Sequence, residues 1–140
     1  MSLSLLLSNT PLMAALAGMI GSQLIKLTQQ FIQRKPLSIR SLFSSGGMPS
    51  THSSMVAALT TSIALVEGLD SMGFALSLAL SLIIVYDASG VRQEVDKQAK
   101  IIQGLTENPD TSNTSVGHTQ AEVIVGIVLG IVIACIMVYY

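Results

Sequence analysis

Apolar and charged positions along this chain separate into long blocks. No Asp, Glu, Lys or Arg falls within residues 1–25, 41–66, 71–86 or 123–140. A helix needs about 20 mostly apolar residues to cross the hydrocarbon core of a bilayer. The first and last blocks reach that length directly, and the middle two reach it with their flanks. The pattern predicts four transmembrane helices, near 8–27, 51–67, 71–90 and 119–139, the second and third joined by a tight turn at Gly68 to Gly73. Residues 28–45 mix Arg34, Lys35 and Arg40 irregularly with Phe31, Ile32, Leu37, Ile39, Leu42 and Phe43, and Pro36 interrupts them. Such a segment belongs in the headgroup zone. Residues 91–105 read as a helix carried past the membrane surface, and 106–117 as a polar loop rich in turn formers. The predicted fold is all-α: one polytopic membrane helix bundle spanning 1–140, with interfacial helical segments.

Composition agrees with a membrane domain. Half of the residues are apolar and 11% are charged, against about 25% charged in a soluble domain; the mean hydropathy is +0.64. The first span lacks a basic leading segment and a clear small-residue cleavage site, so it is expected to be retained rather than removed as a signal peptide. The single cysteine, Cys135, falls inside the last span and allows no intrachain disulfide. A net charge of -1 argues against a nucleic-acid partner.

The bases carry topological information. Lys26, Arg34, Lys35 and Arg40 lie at or after the end of the first span, and Arg92, Lys97 and Lys100 follow the third. With four spans all seven fall on one side, which the positive-inside rule makes cytoplasmic. The chain is then expected in the plasma (inner) membrane with both termini outside. Gly126 and Gly130 form a GxxxG spacing, and Ala14, Ala17, Gly18, Gly21 and Ser22 crowd the first span. Small residues let helices approach closely in lipid, either within one chain or across a homodimer seam.

Three polar clusters then stand out. Gly46-Gly-Met-Pro-Ser-Thr-His-Ser53 ends the first cytoplasmic segment and starts the second span. Its glycines free the backbone, Pro49 suits a helix start, and Ser50, Thr51 and Ser53 are capping candidates. A helix start has unpaired N–H groups and a partial positive charge, which suits an anion. Asp87-Ala-Ser-Gly-Val-Arg92, with Lys97 following, leaves the third span; Arg92–Asp96 and Asp96–Lys100 are at ion-pair spacing. The third cluster, Gly117-His-Thr-Gln-Ala-Glu122, opens the fourth span. Thr119 and Glu122 match a capping box. His118 and Glu122 are also four apart, so the carboxylate can fix one imidazole nitrogen and leave the other free to attack or to take a proton. Topology brings all three clusters to one membrane depth. They supply a nucleophile, an acid and cations, the parts of phosphoryl transfer.

At these residues the chain resembles the type 2 phosphatidic acid phosphatase superfamily, which includes lipid phosphatases and vanadium haloperoxidases. Pro49-Ser-Thr-His52 looks like its Pro-Ser-Gly-His motif, and His118-x-x-x-Glu122 like its His-x-x-x-Asp motif. Closer still, the three clusters resemble the divergent branch of small membrane proteins labelled acid phosphatase/vanadium-dependent haloperoxidase-related, over most of the chain. The superfamily's Lys-x6-Arg-Pro motif is missing, Ser112 stands where an arginine precedes the motif histidine, and Glu122 replaces the aspartate. The chain is also shorter than the usual six-helix core, so a second copy is a candidate to complete or support the site.

The resemblance implies a membrane phosphomonoesterase acting on a lipid phosphate of the phosphatidylglycerophosphate or phosphatidic acid type, with no metal or organic cofactor. His118 would be the nucleophile, forming a phosphohistidine; Glu122 would orient it, and His52 would serve as general acid and base. Ser50, Thr51 and Gly47 would hold the phosphoryl oxygens, with Arg92, Lys97 and Lys35 neutralising charge and Asp87 and Lys26 as further members of the site. Two rival readings use the same clusters. One is a non-enzymatic protein that binds or moves anionic lipids or phosphate. The other is a divalent-metal site built on Asp87 with Glu122 or Asp96.

Overall fold

The computed structural model describes residues 3–34, 47–105 and 118–140, apart from the side chains of Leu3, Gln93, Asp96, Lys100 and Gln103. Lys35, Gly46, Ser112, most of the expected interfacial segment and the 106–117 loop lie outside the described residues. The helices are α1 (Leu3–Leu7), α2 (Thr10–Ile32), α3 (Thr51–Glu67), α4 (Met72–Ser89), α5 (Val91–Leu105) and α6 (Gln120–Tyr139). The all-α membrane bundle is as the sequence predicts.

Local chemistry sets most of the helix ends. Asn9 caps α2 by accepting from the Leu12 N–H at 3.0 Å, and Ser71 caps α4 by accepting from Phe74 at 3.1 Å. Gly68, at φ +95°, turns the chain between α3 and α4 in the left-handed region that glycine tolerates. Two boundaries differ from expectation. α2 continues to Ile32 instead of ending near 27, because its polar last turns bond internally; the Thr28 hydroxyl donates to the Leu24 carbonyl at 2.8 Å. α4 does not run on into α5 either. Gly90 leaves helical geometry at φ −111°, ψ −84°, and its N–H closes α4 on the Tyr86 carbonyl at 2.8 Å.

α3 is the centre of the bundle and packs against α2, α4 and α6. Among the described helices, α2, α4 and α6 are long and apolar enough to cross a membrane. α3 has 17 residues and buries Thr51, Ser53, Ser54, Val56, Ala57, Ala58, Thr60 and Ser62. Its neighbours shield it from lipid, so it carries small and hydroxyl side chains where they carry Leu, Ile and Val.

Those small residues set the spacing. The Ser54 hydroxyl donates to the Gly18 carbonyl of α2 at 3.0 Å. A Cβ added at Gly18 would come within 2.9 Å of the Ser54 carbonyl oxygen, and one at Gly126 within 2.6 Å of the Ser50 carbonyl oxygen. Gly130 is pressed against the Ser54 carbonyl from the other side, and a Cβ there would lie 2.8 Å from the Ala58 nitrogen. The GxxxG pair is thus used within one chain, between α6 and α3.

Gly126→Val is therefore expected to destabilise the bundle by about 2 kcal/mol, because backbone atoms rather than flexible side-chain ends must move. The midpoint of thermal unfolding in detergent checks this. Gly104→Ala, on an open part of α5 with nothing within 4 Å of the added methyl, should leave the midpoint unchanged or slightly raised.

Candidate active site

Two backbone hydrogen bonds join the three polar clusters. The Ser50 N–H, ahead of α3, donates to the Glu122 carbonyl in the first turn of α6 at 3.0 Å. The His118 N–H, ahead of α6, donates to the Ala88 carbonyl in the last turn of α4 at 3.2 Å. The starts of α3 and α6 and the end of α4 therefore meet at one end of the bundle.

α2 contributes from the side. Ala14, Gly18, Ser22 and Lys26 are successive i+4 positions, and all four are buried. The first three are small and let α2 approach closely. The fourth delivers an ammonium: Lys26 is 7% exposed, and its Nζ has no hydrogen-bond partner among the described residues. The Thr51 hydroxyl, at the start of α3, is buried in the same condition. So are both ring nitrogens of His118, a residue only 2% exposed. Buried polar atoms are almost always hydrogen-bonded. Four of them without partners, on three side chains, make a set of groups complementary to an oxyanion: a cation, a hydroxyl and an imidazole.

The electrostatics tie these groups together. Burial lowers the pKa of His118 below its ordinary 6.5; the nearby Lys26 charge lowers it further, Glu122 opposes, and His52 and Arg92 add smaller effects in the lowering direction. His118 is thus a neutral imidazole at neutral pH, with a lone pair on one ring nitrogen. His52 lies on the exposed side of the α3 start, within the fields of Arg92, Lys26 and Asp87.

The remaining expected site residues divide. Arg92 stays near the cluster, held by Asp87 through an Nε–Oδ2 ion pair of 2.6 Å with both side chains about one-third exposed. The break at Gly90 turns Arg92 back toward the end of α4; the anticipated Arg92–Asp96 and Asp96–Lys100 pairs fall on side chains outside the described set. Asp87 is accordingly engaged by a base. Lys97 pairs with Glu94 at 3.1 Å on the exposed face of α5, away from the site.

Ser50 is fully buried as the α3 cap, its hydroxyl accepting from Ser53 N–H at 3.4 Å and from Ser53 Oγ at 2.9 Å. Its N–H is engaged by the Glu122 carbonyl. Gly47, at φ +97°, is an exposed turn residue with open space where a side chain would begin. Glu122 completes a capping box: its Oε2 accepts from Thr119 N–H at 2.9 Å, and its own N–H donates to Thr119 Oγ1 at 3.3 Å. The expected Glu122–imidazole hydrogen bond is not formed; Glu122 acts on His118 through its charge alone.

Sequence reasoning places Lys26 only among the auxiliary residues, whereas in the structure it is buried within electrostatic reach of His118. The signal is there to be read: Lys26 continues the small-residue row of α2 by one more i+4 step, so it has to point into the bundle.

Comparison with known proteins is consistent with these observations. Residues 7–133 match the family described as "Divergent PAP2 family". A protein of Bacillus subtilis (strain 168), "Uncharacterized membrane protein YuiD", is 36% identical over 154 aligned positions, covering 96% of this chain and 98% of that one. No solved structure matches.

An unpaired ammonium in a buried site is costly until an anion joins it. Inorganic phosphate is therefore expected to raise the thermal midpoint, reaching about 2.7 kcal/mol of stabilisation at a hundredfold excess over Kd. Lys26→Met should abolish that gain while leaving the phosphate-free protein at least as stable. A phosphate titration of both proteins by thermal unfolding checks both statements.

Proposed function

The chain belongs to the Divergent PAP2 family, and from that membership and the buried, unpartnered polar groups of Lys26, Thr51 and His118 we propose that it is an integral membrane lipid phosphatase. The observation that carries the proposal is the convergence of a neutral, dehydrated imidazole at His118 with the unpartnered Lys26 ammonium and Thr51 hydroxyl. The substrate is a phosphomonoester of the phosphatidylglycerophosphate or phosphatidic acid type. The clustering of bases at the same end of the chain's spans supports a site at the cytoplasmic face, with both termini outside.

The reaction proceeds in two displacements. The free nitrogen of His118 attacks phosphorus, the ester P–O bond breaks, and protonated His52 gives its proton to the departing lipid alkoxide. The product is a phosphohistidine and a lipid alcohol. Neutral His52 then takes a proton from water, the resulting hydroxide attacks phosphorus, and the P–N bond breaks to release inorganic phosphate. Lys26, Thr51 and the first N–H groups of α3 stabilise the equatorial oxygens. Arg92, positioned by Asp87, adds positive charge at the rim.

The division of exposure supports these roles. A nucleophile benefits from desolvation, since a neutral imidazole loses little by it while its cationic form is disfavoured. An acid–base group must exchange protons with water in each turnover, and His52 lies on the open side. One observation favours a second reading, in which the same pocket binds anionic lipids without turnover: the capping box occupies Glu122, so no hydrogen bond orients His118.

Purified protein in detergent should release phosphate from phosphatidylglycerophosphate or phosphatidic acid, with and without chelator, and His118→Ala should lower the rate at least about a thousandfold. Substrate labelled at phosphorus should leave acid-labile phosphate on the wild-type chain and none on the variant. Turnover by His118→Ala at the wild-type rate would refute the assignment, and absence of turnover on every lipid phosphate would favour the binding reading.

The pH dependence follows from His118. Its pKa lies below 6.5 in the folded protein, so the neutral nucleophile persists as the pH falls through 6.5 and is lost only at lower pH. The acid limb of kcat/KM should therefore sit below pH 6.5 when turnover is followed across a buffer series.

A further inference from the structure

An apolar groove of about 270 Å³ runs down the bundle between α3, α4 and α6. Buried Val56, Ala57 and Thr60 are among its lining residues, and Leu78, Leu82 and Ile131 stand exposed along it. The Thr60 and Ser81 hydroxyl groups are satisfied internally. Thr60 Oγ1 and Ser81 Oγ share a hydrogen bond of 2.8 Å, and Ser81 Oγ also donates to the Val56 carbonyl at 3.3 Å. What remains presented to an occupant is hydrocarbon.

The position of the groove relative to the buried polar cluster is the informative feature. At a rise of about 1.5 Å per residue, Val56 lies about 6 Å and Thr60 about 12 Å along α3 from His52. Ile127 and Ile131 lie about 8 and 14 Å along α6 from Glu122, and Leu78 about 14 Å along α4 from Asp87 by the same rise. On α3 and α6 the groove starts about one turn inward of the polar cluster, on α4 it starts at Val85, about 3 Å from Asp87, and on all three helices it ends about 12–14 Å away. One leaflet of the hydrocarbon core is about 15 Å thick, half of the usual 30 Å. The groove therefore spans the depth that one acyl chain occupies when its headgroup sits at the membrane surface.

We propose that this groove holds one acyl chain of the lipid whose phosphate meets His118, Lys26 and Thr51. The identity of the headgroup rests on the phosphatase reading; the placement of the chain does not require turnover. Cation above and hydrocarbon below match the two ends of an anionic lipid. The groove is smaller than the roughly 300–1,000 Å³ of sites that take a whole ligand, which fits a single chain. A second chain of the same lipid stays in the bilayer, reached past Leu78, Leu82 and Ile131. The site would thus select lipids by headgroup charge and by one chain.

The test is photochemical capture. Wild-type and His118→Ala proteins, reconstituted in phosphatidylcholine vesicles, receive phosphatidic acid carrying a diazirine midway along one acyl chain. After irradiation, adducts are mapped by mass spectrometry. They are expected on residues 56–61, 78–85 and 127–131, in both proteins, and at least fivefold more strongly than with phosphatidylcholine carrying the same chain. Leu82→Trp, which covers the groove from its exposed edge, should lower capture at least fivefold. Ile131→Trp serves where Leu82→Trp shows no cooperative melting transition.

Equal capture of the two lipids, or adducts scattered over the outward faces of α4 and α6, would overturn the proposal even if phosphate is released. Groove-specific capture without phosphate release from any substrate would uphold it while removing the phosphatase reading.

Discussion

Everything at the functional end of this bundle depends on how closely α3 can be gripped by its two neighbours. The Ser54 carbonyl is the point of contact. Gly18 of α2 presses on it from one side and Gly130 of α6 from the other, with the Ser54 hydroxyl bonded back to Gly18. In lipid, no hydrophobic force drives helices together, so association relies on tight backbone packing and interhelical hydrogen bonds. One step along the row of Gly18 and Ser22 comes Lys26, and one turn from Gly130 comes Gly126 against Ser50. The same close approach that holds the bundle brings the ammonium of α2 and the start of α6 alongside the start of α3.

Much of this was legible in the sequence, for reasons specific to membranes. Charge-free blocks mark spans because ionised groups are expensive in hydrocarbon, so α2, α4 and α6 emerged within a few residues of their observed limits. Thr119 and Glu122 announced a helix start by their spacing, and the structure contains that box. The pairing geometry at the site was less accessible. Whether Arg92 can reach back to Asp87 depends on the backbone at Gly90, which breaks the helix between them. Whether Ser50 faces a ligand or its own helix depends on Ser53 and on the contact with Glu122. Those outcomes are fixed by three-dimensional neighbours, which spacing along one element does not specify.

Departure from the superfamily pattern acquires a physical sense on the proposed reading. A missing basic motif removes positive charge from one place, and Lys26 returns some from another, out of the middle of the bundle rather than from a loop. A lysine delivered in this way is held by packing and shielded from water. Electrostatic attraction to an anion is stronger in such surroundings than at a solvated surface. A shorter protein can therefore reach a comparable field with fewer cations, provided that the fold keeps them dry.

The enclosed position of α3 also bears on how the chain is built into a bilayer. Seventeen residues that include His52, three serines and three threonines make a poor solitary insertion signal. Only four residues, Gly68 to Ser71, separate α3 from the far greasier α4. The two should be admitted by the insertion machinery as a helical hairpin, α4 carrying α3 across. α3 then waits in lipid with its Ser50 and Ser53 side uncovered until α6 is synthesised and docks. The catalytic end of the molecule would thus be the last part to exist, assembled only when the final helix closes over the first three.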